Sequence, residues 1–289
     1  MRKPMTDYDF SNAYNATYSD PTATVGSEIT PSGTYSFTDD GDLQVNDTIT
    51  IDGASYTYLG YSGNDSILLQ LNNAFGDQYY VLSNDSQLAD GGSLTITTET
   101  APFCLLAGTM VSTPYGERPV EDIRPGDVIL THDGDITPVR WVGRQSLISK
   151  FSAHALPVVI KAGALSDNTP SRDLHVSPDH AIVLDDYLVQ AQALVNGTTI
   201  AVTSDPPAQL DYYHLELDQQ RIIVADGAPV ESFVDNVSRA GFDNFDEWVE
   251  LGLEPLPVAD IDLPRVKSSR QLPAFISERL AERGAYINA

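Results

Sequence analysis

The chain of 289 residues contains a single cysteine, Cys104, and therefore no internal disulfide. A solitary cysteine can be buried filler, a metal ligand, an intermolecular link or a nucleophile. A compact pattern of short apolar runs begins at Cys104, and of these four roles only that of a nucleophile explains why the pattern starts there. We therefore interpret Cys104 as the reactive group of the chain.

Basic residues are also scarce, with 16 Lys and Arg against 41 Asp and Glu, so the formal net charge is −25. Coulomb repulsion makes nucleic acid and anionic membrane surfaces poor partners for such a chain. No apolar run approaches the roughly 18 to 20 residues that cross a bilayer, so we expect no membrane span. The start, Met1–Asp7, has no apolar core of a cleavable signal peptide. We expect an exported or cell-surface protein that keeps its signal, with a cytoplasmic location as the alternative.

The first part of the chain divides in two by composition. Residues 1–30 are rich in Asp, Asn, Ser, Thr and Tyr with few aliphatic side chains, which predicts a flexible leader. Residues 31–103 show short alternating runs bounded by turn pairs such as Asp52-Gly53 and Asp90-Gly91, which predict a small domain of β-hairpins.

A denser all-β body follows from Cys104, with predicted strands that include Val139–Gly143 and Asp211–Leu217. Residues 233–289 differ, because the stretches 244–251 and 273–283 space their apolar residues as helices do. The sequence therefore predicts an all-β chain with a partly helical C-terminal tail.

Cofactor and metal sites are not indicated by the sequence. There is no glycine loop of the kind that cradles phosphates, so we expect no nucleotide cofactor. His132, His154 and His175 have no spacing that would form a tetrahedral zinc site with Cys104, so we expect no metal.

Three ordered blocks of sequence resemble the Hedgehog/intein (Hint) self-processing family, and in particular its bacterial intein-like members. The blocks are the segment from Cys104 with Gly108-Thr109 and Pro125-Gly126-Asp127, the segment 174–180 with Ser177 in place of the usual Thr of Thr-x-x-His, and the segments 213–217 and 222–230. The resemblance covers residues 104–232 and implies a flattened, pseudo-two-fold horseshoe of strands.

The resemblance also implies a chemistry. Cys104 would attack the carbonyl of Phe103 and convert the peptide bond into a thioester, an N-to-S acyl shift. His180 would protonate the departing amine, because an imidazole titrates near neutrality. Ser177 would hydrogen-bond the carbonyl or the nitrogen of the scissile bond, and His214 would activate an incoming water or amine as a neutral base.

The sequence departs from the splicing pattern at the end of the domain. Splicing inteins end in His-Asn before Cys, Ser or Thr, whereas this chain has Val230-Glu231-Ser232-Phe233, and the nearby Asn236 lacks a preceding His. We therefore expect single-turnover cleavage in cis. Its substrate is the chain's own N-terminal segment, and the acyl acceptor is water or an external nucleophile. The alternative is an inactive Hint fold that serves as a scaffold or interaction module of an exported protein.

Overall fold

The protein is described by a computed structural model. The structure describes residues 6–19, 22–29, 35–39, 48–62, 66–71, 78–84, 88–96, 104–152, 155–233, 239, 242–255 and 261–287. The chain forms two compact units. The first unit comprises Met1–Thr100 together with Lys150–His154, and the second comprises Ala101–Ser149 together with Ala155–Ala289.

The first unit is built from nine described strands. They are β1 Thr6–Phe10, β2 Asn12–Ser19, β3 Thr22–Glu28, β4 Tyr35–Asp39, β5 Thr48–Ile51, β6 Ala54–Ser62, β7 Ser66–Leu71, β8 Gln78–Ser83 and β9 Ser93–Thr95. β1 and β4 form a two-stranded antiparallel sheet. The others form a seven-stranded sheet in the order β5-β6-β7-β8-β2-β3-β9. Most neighbours in this sheet are hairpin partners, as the alternating runs and turn pairs predict.

The prediction of a flexible leader over residues 1–30 is wrong for residues 6–19 and 22–29. β2 lies inside the seven-stranded sheet, paired with β8 on one side and β3 on the other. Tyr14, Ala23 and Val25 belong to the core of that sheet. The count of aliphatic side chains was misleading because small and aromatic residues of this stretch, such as Ala23 and Tyr14, also contribute to the core.

The second unit contains fifteen described strands. They are β10 Leu105–Leu106, β11 Met110–Thr113, β12 Gly116–Pro119, β13 Val128–Leu130, β14 Ile136–Pro138, β15 Trp141–Ile148, β16 Val158–Ile160, β17 Leu174–Val176, β18 Ala181–Leu184, β19 Tyr187–Gln190, β20 Ile200–Val202, β21 Gln209–Glu216, β22 Ile222–Ala225, β23 Ala228–Glu231 and β24 Arg265–Val266. The helices are α1 Ala191–Leu194, α2 Phe245–Glu250 and α3 Ala274–Ile287. The all-β class with a helical C-terminal tail is confirmed.

Two large sheets organise the second unit. One has the order β15-β21-β10-β17-β16-β20 and the other β12-β11-β22-β23-β18-β19-β24, while β13 and β14 form a small hairpin. The predicted strand Val139–Gly143 is wrong in its bounds, because β14 ends at Pro138 and β15 runs from Trp141 to Ile148. β15 extends further because each of its eight residues pairs with β21.

The C-terminal tail is part of the core of the second unit. Val266, Ile276 and Leu280 belong to the same apolar cluster as the strand residues between positions 105 and 230. β24 also adds a parallel strand beside β19. Within the described residues, no helix is both long and apolar enough to cross a membrane.

Candidate active site

Cys104 stands directly before β10, in the middle of the six-stranded sheet. Leu105, the first residue of β10, pairs with Val176 of β17 on one side and with Tyr213 of β21 on the other. Because β10 is fixed by both of its neighbours, Cys104 lies beside β17 and β21, two strands that are remote from it in sequence. This position brings the predicted blocks together.

Cys104 and Ser177 form a reciprocal pair of hydrogen bonds. The amide N–H of Cys104 donates to Oγ of Ser177 at 2.9 Å. In return, the amide N–H of Ser177 donates to the carbonyl oxygen of Cys104 at 2.9 Å. Neither residue is exposed to solvent. Of the two atoms named for Ser177 in the sequence analysis, the nitrogen is the one whose hydrogen bond lies within the described residues. Phe103, on the far side of that bond, lies outside the described residues.

His180 follows Ser177 through a tight turn. Its N–H donates to the carbonyl of Ser177 at 3.1 Å, and its carbonyl accepts from the N–H of Ala191 at 2.9 Å. Pro178 favours this geometry because its ring presets the φ of the first turn position. The His180 side chain is buried, so the turn carries an imidazole inward rather than to solvent.

His214 lies on β21, with its ring centroid 6.0 Å from that of His180. Burial lowers the pKa of His214 well below its usual value, and the neighbouring His180 lowers the pKa further, whereas a hydrogen bond with the backbone of Ser232 opposes both effects. Among the described residues, Nε2 of His214 has no hydrogen-bond partner. His214 is therefore a neutral imidazole at pH 7.

Burial also decides the resting state of the nucleophile. It raises the pKa of the Cys104 thiol well above its ordinary value, so the group rests as a thiol rather than a thiolate. A reaction at its sulfur therefore requires a base at the moment of attack. Within the described residues, no cluster of three or more His, Cys, Asp and Glu side chains could hold a metal ion.

Tyr212 is a neighbour of the site that the sequence analysis missed. Its pKa is raised first by burial and second by its electrostatic interaction with Cys104. The hydroxyl donates to the carbonyl of Ala155 at 2.6 Å. The sequence could have indicated Tyr212 as a neighbour of His214, since the two residues are two positions apart on one strand and so share a face.

Phe233 and Phe242, which lie just beyond the predicted Hint segment 104–232, contact His214. The N–H of Phe233 donates to the carbonyl of Leu215 at 3.0 Å, beside His214. The ring of Phe233 lies 5.1 Å from that of His214, and the ring of Phe242 lies 6.3 Å from it. The two aromatic rings therefore form an apolar wall around His214. Asn236 lies outside the described residues.

Arg239 and residues 242–250, here called the C-terminal clamp, hold this wall against β15 and β21. Glu216 is fully buried and accepts from Nη1 of Arg140 at 3.0 Å and from Nε of Arg239 at 2.8 Å. The guanidinium of Arg239 lies over the ring of Phe233, 4.7 Å from its centroid. The ring of Phe242 packs against Gly143 so closely that a Cβ there would meet it at 2.7 Å.

Two of the histidines left out of the predicted site, His132 and His175, lie within the described residues. His175 lies on β17, partly buried, and burial lowers its pKa. His132 follows β13, where its N–H donates to the carbonyl of Ile222. His154 lies outside the described residues.

Comparison with known proteins agrees with the resemblance. The family model described as the Hint domain matches residues 103–237. A solved bacterial intein-like domain from Clostridium thermocellum is similar at 15% identity, over 46% of this chain and 100% of that one, with a TM-score of 0.34. The MchDnaB-1 intein is similar at 17% identity, over 43% of this chain and 98% of that one, with a TM-score of 0.31. No curated protein matches the sequence. The match of residues 103–237 to the Hint domain supports autoprocessing in general.

Proposed function

We propose that the chain cleaves its own backbone at the peptide bond between Phe103 and Cys104. The observation that carries the proposal is the hydrogen bond from the Cys104 amide to Oγ of Ser177, because that amide nitrogen is the leaving group of the reaction. A buried hydroxyl bonded to the leaving nitrogen, beside the only thiol of the chain, is the arrangement that an N-to-S acyl shift needs.

In the first step a neutral imidazole takes the thiol proton while Sγ of Cys104 bonds to the carbonyl carbon of Phe103. The C–N bond then breaks, and the imidazolium returns the proton to the departing amine of Cys104, so no proton is gained or lost overall. His180 is our candidate for this transfer, because the turn that carries Ser177 also carries its buried ring.

Ser177 acts as a positioning residue in this scheme. Its oxygen accepts from the amide N–H in the ground state, and it remains an acceptor when the nitrogen gains a second hydrogen as an amine. The carbonyl of Cys104 is fixed in turn by the N–H of Ser177, so both ends of this residue are held while its sulfur attacks. Fixing the reacting groups in this way lowers the entropy cost of the attack.

The thioester is then cleaved by water or by an external nucleophile, and the domain does not splice. The residues at the closing end are Ser232 and Phe233, neither of which can cyclise as Asn does. His214 is the base that we assign to this second step, since burial keeps it neutral and its Nε2 has no partner among the described residues. The substrate is thus the chain's own N-terminal segment.

The test is the intact mass of freshly purified protein before and after incubation with 2-mercaptoethanol at pH 8. We expect the 31.4 kDa chain to give fragments of about 11 and 20 kDa, in proportion to their 103 and 186 residues, with the thiol joined to the smaller one. A mass that stays at 31.4 kDa under every thiol concentration contradicts the proposal and favours an inactive Hint fold that serves as a scaffold.

A further inference from the structure

Five residues on the C-terminal side of the scissile bond belong to the N-terminal unit. Lys150–His154, here called the insert peptide, lie between β15 and β16 in sequence, yet they group with Met1–Thr100. A cut before Cys104 leaves the insert peptide covalently joined to the second unit. The first unit is therefore completed by residues from both products of the cleavage.

The contacts of the insert peptide are specific. Oγ of Ser152 donates to the hydroxyl of Tyr61, on β6, at 3.0 Å. Both residues are buried, at 1% and 4% exposure, so neither hydroxyl exchanges this bond for water without cost. The ammonium of Lys150 lies over the ring of Phe10, at the end of β1, 5.6 Å from its centroid and within the range of a cation–π contact.

The ends of the insert peptide are anchored in the second unit. The N–H of Ser149 donates to the carbonyl of Ala208 at 3.0 Å. The carbonyl of Ala155, which is fully buried, accepts from the hydroxyl of Tyr212 at 2.6 Å. A peptide that is held at both ends loses little conformational entropy when its middle is bound, so a short segment can bind tightly.

We infer that cleavage before Cys104 does not release the N-terminal fragment. Residues 1–103 and 104–289 remain a non-covalent complex, in which the insert peptide of the larger fragment completes the fold of the smaller one. The inference depends on the proposed function only for the origin of the cut. It makes the product of autoprocessing a nicked two-chain protein rather than two separate proteins.

The experiment cuts the chain in two independent ways. In one arm the natural protein is treated with 2-mercaptoethanol, and in the other a recognition site for a sequence-specific protease is inserted between Thr100 and Ala101. Mass under denaturing conditions reports whether the chain is cut, and size-exclusion chromatography in native buffer reports whether the fragments separate. Failure of thiol cleavage alone contradicts the proposed function, while the protease arm still tests the association.

We expect both fragments to elute in one peak after either cut. Ser152→Asp places a charge beside the buried Tyr61, and we expect it to raise the dissociation constant of the cut protein at least ten-fold. Ser152→Ala removes only the hydrogen bond and should raise it about five-fold, which keeps the test informative if the Asp variant does not fold. The matched control is Ser204→Asp, an exposed serine of the second unit.

Two results overturn the inference. One is separate elution of the fragments from cut natural protein at micromolar concentration. The other is a pair of Ser152 variants whose cut forms bind no more weakly than the cut Ser204→Asp protein.

Discussion

The two units of the chain are both β structures, but their sheets are assembled differently. In the seven-stranded sheet of the first unit, β5, β6, β7 and β8 follow one another in sequence as they do in space, and the main long-range step is the pairing of β8 with β2. In the six-stranded sheet of the second unit no two adjacent strands in the order β15-β21-β10-β17-β16-β20 are joined by a short hairpin.

The difference explains where the candidate chemistry lies. A hairpin sheet places side chains beside sequence neighbours. In the six-stranded sheet, here called interleaved because its neighbouring strands are distant in sequence, Cys104 lies beside Ser177, 73 residues away. The strand β21, which carries His214, pairs with β10, the strand that follows Cys104. Interleaved pairing is slow to form because it must close long loops first. In return it lets one buried site collect a thiol, a hydroxyl and two imidazoles.

The largest effect that follows from this comparison is the loss of the nucleophile. We expect Cys104→Ala to abolish cleavage, because no other residue of the chain supplies a thiol. The fold should remain, since Cys104 behaves as a small buried apolar side chain that alanine nearly replaces. Mass after thiol treatment and thermal unfolding measure the two outcomes. An unchanged fragment pattern in this variant places the cut at another residue.

The next effect compares a buried serine of each unit. We expect Ser177→Ala to slow cleavage by about 10² to 10³, the usual loss for one positioned hydrogen-bonding group at a reacting centre. Ser83→Ala is the matched control in the first unit, where Ser83 is buried and bonded to Ser66 at 2.7 Å. That variant should lose about 1 kcal/mol of stability and cleave at the natural rate. Equal rates for the two variants would make Ser177 merely structural.

The sequence predicted local structure better than it predicted contacts between residues that are distant in sequence. The Asp52-Gly53 turn and the strand limits at Leu174–Val176 and Ala181–Leu184 follow from alternation and turn chemistry, and the structure has them. The strands within residues 1–30 were not predicted, because residues such as Tyr14 bury apolar area that a count of aliphatic residues overlooks. The local pattern alone did not predict that Cys104 and Ser177 lie close together; that prediction came from the family resemblance.

What the sequence could not indicate depends on three-dimensional pairing. Nothing in the residues around Ser152 shows that they complete another unit, since the partner hydroxyl, Tyr61, is 91 residues away. The same holds for Glu216, whose two arginine partners lie on either side of it in sequence, one of them beyond the predicted end of the Hint segment. Such contacts depend on the fold, and no periodic pattern in the sequence predicts them.

Glu216, Arg140 and Arg239 form a buried ion network in the second unit. We expect Glu216→Gln to cost about 3 kcal/mol of unfolding free energy, because it leaves the charges of Arg140 and Arg239 without a buried counter-ion and loosens the C-terminal clamp. Urea unfolding at pH 7 measures it. As a control, Asp167→Asn removes the partner of Arg283 at a site that is 96% exposed and should change stability by less than about 0.5 kcal/mol. A similar cost for both variants would mean that burial adds nothing.

The smallest effect compares two turns of the same sequence, Asp52-Gly53 in the first unit and Asp226-Gly227 in the second. All four residues have positive φ, as a type I′ hairpin turn requires. Asp52 is exposed, whereas Asp226 is buried, accepting from the N–H of Met110 at 3.1 Å and from Arg172 at 3.4 Å. Burial raises the pKa of Asp226 to about 6.

The sign of the pH dependence follows from that shift. Between about pH 4 and pH 6 the folded chain holds a proton on Asp226 that the unfolded chain has released, so stability falls as pH rises through this window. Asn cannot ionise and tolerates positive φ as well as Asp does. We therefore expect Asp226→Asn to match the natural protein at pH 4 and to be more stable at pH 7 by at least about 1 kcal/mol, because the raised pKa of Asp226 is a net effect that already includes the pair with Arg172.

Denaturant unfolding at pH 4, 5, 6 and 7 measures this difference, and Asp52→Asn supplies the comparison. We expect Asp52→Asn to change the free energy of unfolding by less than about 0.5 kcal/mol, because the Asp52 side chain is exposed. If the difference in stability between Asp226→Asn and the natural protein does not grow as the pH rises from 4 to 7, then burial of Asp226 does not govern its ionisation.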